Sequence, residues 1–276
     1  MYHSVVQHGE QYPELSPSVT AYFVDQATFN AQMIELCRLG CCIDLAAVRA
    51  FYNSETGACH PPQSKPLVHI TFDDGWLGAV DVAGPVLESH SCSALLFVAT
   101  DLVDCPHFVS SSMLRSLPAD TLKIGSHAKT HRFLNRLSED EIRNELQSSK
   151  SFLEDVVGYE IDALSLPGGA VDERVRHIAA DAGYRFLFTS EIYANTRSIG
   201  QMRIGRIAIK SNTSISDFRR YVQHNLGWEQ WRRRLLSIPK RTLGLRSYER
   251  LRRRLLGEAQ DQYDMVDLAA RRTPVR

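Results

Sequence analysis

The amino-acid sequence predicts an α/β protein: a parallel sheet or barrel of about seven strands, followed by a helical, basic C-terminal extension. Three observations predict it. Short apolar runs alternate with helix-period stretches from Tyr2 to about residue 210, the mark of repeated strand–helix units. The run Ala94 to Ala99 contains no polar residue, as a strand covered on both faces requires. The last fifty residues differ in character, so the alternating region over 1–222 is followed by an extension over 223–276.

Taken in order, Tyr2 to Val6 reads as the first strand. A helix runs from about Thr28, whose side chain can cap it, to Leu39, with Gly40 as its stop. Leu67 to Phe72 is the second strand and Leu77 to Glu88 a helix. After Ala94 to Ala99 comes a weaker strand, Thr121 to Gly125, and then a long helix opened by Ser138 with Glu141 three residues on, a capping box. Ile161 to Leu166, Tyr184 to Phe188 and Arg203 to Ile209 are further strands, with a helix over Val171 to Ala182 between the first two.

The 32 basic and 32 acidic residues cancel, so net charge gives no general argument for nucleic acid, and none is expected as a partner. The distribution is uneven. Residues 225–257 carry ten Arg or Lys against Glu229 and Glu249, about +8, interleaved with Trp228, Trp231 and several leucines. The plain reading is one or two helices with a solvated basic face; the sharper one is a peripheral contact with anionic lipid head groups. Residues 258–276 read as a frayed end. The opening residues have no basic-then-apolar leader pattern and no apolar run reaches a membrane span, so a cytoplasmic protein is expected, with the six cysteines reduced.

Three elements carry chemistry. Thr71-Phe72-Asp73-Asp74-Gly75 closes the second strand, and strand C-terminal ends are where α/β folds present reactive groups. Adjacent carboxylates on extended backbone point in different directions, though Asp-Asp-Gly is also ordinary turn chemistry. His127 and His131 follow another strand end at a spacing of four, which lets two imidazoles converge on one ion. Leu166-Pro167-Gly168-Gly169 closes a third strand; either it is only a loop, or it brings bare backbone to a substrate so that an N–H can hold an oxyanion.

Together, in this order, these elements resemble the NodB homology domain of polysaccharide deacetylases, carbohydrate esterase family four. Tyr2-His3-Ser4-Val5 and His131-Arg132-Phe133-Leu134 extend the likeness, which covers about residues 1–222. The resemblance implies a distorted (β/α)7 barrel and removal of acetyl groups from an amino-sugar polysaccharide or lipid-linked glycan. It implies a divalent metal, zinc with cobalt or nickel as alternatives, on Asp74, His127 and His131. Asp73 would be the general base, the Gly168 N–H an oxyanion donor, and Pro167 and Gly169 would border the substrate.

The pattern departs from that family at four places. Ala128 stands where Ser or Thr is usual, so a loop-bracing hydrogen bond must be missing or replaced. Ser165 replaces an arginine that orients the base, for which Arg206 is the expected substitute. Gly168 replaces an aromatic residue, opening one wall of the groove. The late Leu-x-His that supplies the general acid has no counterpart; His3 is the candidate, ahead of His8, while His69 reads as structural and His224 as surface. The missing acid keeps a non-catalytic, metal-containing carbohydrate-binding protein open as an alternative, beside a hydrolase of small amides.

Overall fold

The computed structural model describes residues 1–53, 65–232, 265 and 268. Its centre is a five-stranded parallel sheet in the order β5 (Ile70–Phe72), β6 (Ala94–Val98), β7 (Leu122–Ser126), β8 (Ala163–Ser165) and β9 (Phe186–Phe188). Two parallel pairs flank it: β1 (Ser4–Val6) with β2 (Phe23–Asp25), and β3 (Cys41–Cys42) with β4 (Leu67–Val68). Tyr2 N–H donates to Thr71 O at 2.7 Å on one edge and Ile204 N–H to Leu187 O at 2.8 Å on the other. Ile209 N–H then reaches Met1 O at 2.9 Å, so the sheet curls back toward its own start. Every residue of β6 is buried, as its wholly apolar sequence predicts.

The helices are α1 (Pro17–Thr20), α2 (Gln26–Leu39), α3 (Leu45–Asn53), α4 (Gly78–Asp81), α5 (Ala83–Ser89), α6 (Ser111–Ser116), α7 (Glu139–Val157), α8 (Glu173–Asp181) and α9 (Ile215–Val222). α7 opens on the expected capping box: Glu141 accepts the Ser138 N–H at 3.0 Å while Ser138 Oγ accepts the Glu141 N–H. α2 starts earlier than the Thr28 cap implied. Asp25 Oδ1 accepts the Ala27 N–H at 2.9 Å, and an acidic side chain is the better cap.

Three further expectations change. The stretch Leu77 to Glu88 is two helices broken at Val82, because Pro85 has no N–H and its ring excludes the carbonyl of Asp81 in a continuous helix. Leu67 to Phe72 leaves one sheet for the other at His69, whose Nδ1 donates to Ile43 O at 2.7 Å. The last strand, Arg203 to Ile209, does not form as a ladder; it pairs with β9 through a single bridge, Phe188 to Ile204. Both backbone groups of Gly205 are taken by the Asn195 side-chain amide, at 2.8 and 2.9 Å.

Among the described residues no helix is long and apolar enough to cross a membrane. No cysteine among the described residues forms a disulfide. Most of the basic run, and the end read as frayed, lie outside the described residues. What is described is a helix over 227–232 on which Trp228 and Trp231 stack at 5.0 Å and stand about half exposed.

Candidate active site

Asp73 and Asp74 leave the end of β5, and the backbone there turns sharply: Asp74 has φ 75° and Gly75 φ 90°. A non-glycine residue in the left-handed region costs of order 1 kcal/mol. The turn is pinned from the segment after β6, with Ala99 N–H donating to Asp74 O at 3.3 Å and Val109 N–H to Gly75 O at 2.9 Å. Reversing the chain between the two carboxylates sends them to different partners.

Asp74 faces the two imidazoles. His131 Nε2 and His127 Nε2 stand 3.1 and 3.3 Å from Asp74 Oδ1, and the three residues form the one group of ligand type that could hold a metal ion among the described residues. His127 Nδ1 lies 2.8 Å from the Ser165 carbonyl. A carbonyl only accepts, so that nitrogen carries the hydrogen and Nε2 presents its lone pair to Asp74. Trp76 Nε1–H donates to Asp74 Oδ2 at 3.0 Å, while Oδ1 is buried with no hydrogen-bond partner. Three lone-pair donors converging on one point need positive charge between them. Ligands bonded at ~2.0 Å in a tetrahedron stand ~3.3 Å apart, so the observed edges fit a small divalent ion. Burial alone would raise the Asp74 carboxyl, but His131 and His127 hold it well below the usual range.

Asp73 is held apart from that group by a different set. Arg206 Nη1 donates to Oδ1 at 2.7 Å and Nη2 to Oδ2 at 2.8 Å; Nη2 also donates to Ser165 Oγ at 2.7 Å, which in turn donates to Asp73 Oδ2 at 3.2 Å. The guanidinium is itself fixed by Thr189 O and Thr71 Oγ1, each at 3.1 Å. Burial pushes Asp73 up, and the charge and hydrogen bonds of Arg206 are the chief influence that more than reverses it, so its pKa is lowered. Ser165, which replaces an arginine in the pattern, thus bridges the guanidinium and carboxylate.

The histidine loop has its own brace. Ala128 and His131 have φ 61° and 59°, and α7 holds these left-handed residues through Glu145. That buried carboxylate accepts the Lys129 and Thr130 N–H groups at 2.9 and 2.8 Å, and also the Thr130 hydroxyl. Ser126 Oγ accepts the Ala128 N–H at 3.2 Å. The bracing hydrogen bond lost at Ala128 is therefore replaced from two sides. Glu145 is missed in the sequence because it looks like one more acidic residue on an amphipathic helix. Its signal was position: it falls with Ile142, Leu146 and Ser149 on the buried face of α7.

The five residues His3, Asp73, Asp74, His127 and His131 line one cavity of about 710 Å³. His3 stacks on Tyr22 with ring centres 4.4 Å apart, and its Nδ1 is buried without a partner. Burial lowers its pKa, against the pull of Asp74 and Asp73. The other histidines lie elsewhere: His8 is exposed beside Asp25, and burial pushes His69 down to about 4.

The turn after β8 divides. Gly168 is exposed to the cavity with φ 68°. Pro167 and Gly169 are buried and do not line it, which corrects their expected place beside substrate. A Cβ on Gly169 would meet Ser190 Oγ at 2.0 Å, so this glycine permits packing against β9's following loop. Nor is the wall beside Gly168 open. A Cβ there would meet Phe133 Cε1 at 2.0 Å; the ring fills that space.

Comparison with known proteins agrees with this arrangement. Residues 60–187, which include Asp73, Asp74, His127, His131 and Gly168, match the family model for polysaccharide deacetylase. The Bacillus subtilis (strain 168) protein YxkH, provisionally named a polysaccharide deacetylase, is 26% identical over 160 residues, covering 58% of this chain and 57% of that one. The chain thus spans little more than half the length of that curated relative. Among solved structures, the Streptococcus pyogenes deacetylase PplD in complex with acetate is 22% identical with a TM-score of 0.67, over 81% of this chain and 98% of that one. A de-N-acetylase from Aggregatibacter actinomycetemcomitans is 16% identical with a TM-score of 0.66, over 80% and 97%. IcaB from Ammonifex degensii is 19% identical with a TM-score of 0.65, over 80% and 96%. These share the fold of the curled parallel sheet and its outer helices, and the stretch of this chain that holds Asp73, Asp74, His127, His131 and Gly168 is similar to the polysaccharide deacetylase family.

Proposed function

We propose that the protein is a metal-dependent hydrolase that removes acetyl groups from an amino-sugar-containing polysaccharide or lipid-linked glycan. One observation carries the reading: the unpartnered, buried Asp74 Oδ1 faces two imidazole nitrogens beside a second carboxylate that takes no part in that group. A divalent ion on Asp74, His127 and His131, zinc first and cobalt or nickel as alternatives, supplies Lewis acidity toward an acetyl carbonyl and acidifies a water.

The chain's own residues do the rest. Asp73 takes the proton of the attacking water, kept ionised and oriented by Arg206 and Ser165. The Gly168 N–H, at a left-handed turn exposed to the cavity, donates toward the developing oxyanion. His3 protonates the departing amine; burial disfavours its imidazolium, while the neighbouring Asp74 and Asp73 act to retain the proton it would give. Its position on the cavity wall weakens the case for a binding protein that lacks an acid. The exposed Trp228 and Trp231, opening the basic run, support a peripheral contact with an anionic membrane surface, on its cytoplasmic side.

The test is acetate release from acetylated oligosaccharides with added zinc or cobalt. Wild-type protein should release acetate, and Asp73→Asn should keep its metal and lose about 10²–10⁴-fold in turnover. Normal turnover by that variant, or none by the wild type on any acetylated glycan, would overturn the reading.

A further inference from the structure

Among the described residues Phe133 is one of five large hydrophobic side chains left exposed, at 38%. It sits two residues after the ligand His131 and lines the cavity that holds the metal-type group. Its ring is positioned rather than loose. The Arg136 guanidinium lies 4.6 Å from the ring centre, a favourable cation–π arrangement. Gly168 yields room for the opposite contact: a Cβ there would stand 2.0 Å from Phe133 Cε1 and 2.5 Å from Cδ1. No side chain at residue 168 can coexist with the ring where it is. The left-handed φ of 68° at Gly168 makes that position doubly restrictive.

A singly exposed apolar side chain is ordinary on a protein surface, but this one faces the cavity of the reacting groups. Two other aromatic side chains on that cavity are engaged with its own residues, Trp76 with Asp74 and Tyr22 with His3. We propose that Phe133 is the platform on which the apolar C–H face of a pyranose ring rests in the catalytic cavity, and that Gly168 lacks a side chain because the phenyl ring takes its space. The inference rests on the deacetylase reading and names how the sugar is held. Phenylalanine suits the task because its ring is rigid, with two side-chain torsions to fix, one partner already supplied by Arg136, and no polar group that competes for the sugar's hydroxyls.

The test uses the full chain with zinc and an N-acetylglucosamine tetramer as probe, comparing Phe133→Leu, Phe133→Ala and Phe133→Tyr. Leu keeps bulk and removes the π-face; Tyr keeps the face. The expected result is a KM raised about tenfold in the Leu and Ala variants, with kcat within about threefold and zinc content unchanged, and near-wild-type KM in the Tyr variant. A wild-type KM in Phe133→Leu overturns the proposal. So does a parallel loss of kcat and zinc, the signature of a ring that only packs the histidine loop. If the wild type turns nothing over, calorimetric binding of the tetramer decides separately. Binding weakened in the Leu variant sustains the platform while the hydrolase reading falls; equal or absent binding overturns it.

Discussion

The guanidinium of Arg206 grips the carboxylate of Asp73 through two parallel N–H···O bonds, at 2.7 and 2.8 Å, across 133 residues of sequence. Both groups are buried, so the pair is held in place by geometry that water does not loosen. Arg206 therefore sets both the direction and the charge of the proposed base.

Removing that cation should move the pH profile. Arg206 favours the ionised form of Asp73 against burial, so Arg206→Met raises the Asp73 pKa and the carboxylate is lost at a higher pH. The acid limb of kcat/KM should shift upward, with zinc content unchanged. An acid limb at the wild-type position would show that Asp73 is not the group titrating there.

Asp74→Ala and His131→Ala should each abolish zinc occupancy measured on protein purified without chelator, while Asp73→Asn retains it. The reason is the convergence of Asp74 Oδ1 with both Nε2 atoms, a set that fails when one ligand is lost. Zinc bound stoichiometrically by Asp74→Ala would remove the assignment.

Glu145→Ala leaves the Lys129 and Thr130 N–H groups without their acceptor. The histidine loop should then relax out of its left-handed conformation. Zinc affinity is expected to fall by about 10–100-fold, with a stability loss of about 1–3 kcal/mol visible as a lower Tm. Unchanged zinc affinity would mean that α7 does not hold the loop.

His3→Asn should cost more on an amide than on an aryl acetate, because a phenolate leaves without a proton and an amine does not. The expected signature is a fall in deacetylation at least tenfold larger than the fall in aryl-ester turnover. Equal losses on both substrates would assign the proton to another group.

Gly78→Ala should destabilise the protein by about 1–3 kcal/mol, read from chemical denaturation. An ideal Cβ there stands 2.1 Å from the Val5 carbonyl oxygen, a backbone atom that cannot swing aside. α4 would be driven off β1, the strand that directly follows His3, so amide turnover should fall with stability.

The sequence by itself determined the alternation of strand and helix, the apolar β6, the capping box of α7, and the two clusters of ligand-type residues at strand ends. Each is local: a period, a cap or a spacing of four that a few neighbouring residues impose whatever surrounds them. The bounds of α2 and the break at Val82 were also local, written in Asp25 and Pro85. Only the tertiary structure decided that Arg206 meets Asp73, that Glu145 carries the loop of His127 and His131, that His3 faces the same cavity, and that Phe133 occupies the space beside Gly168. Those pairings join residues from 15 to over 100 positions apart on different elements. The curl of the sheet brings them together, and no periodicity along the chain encodes which strand ends will meet.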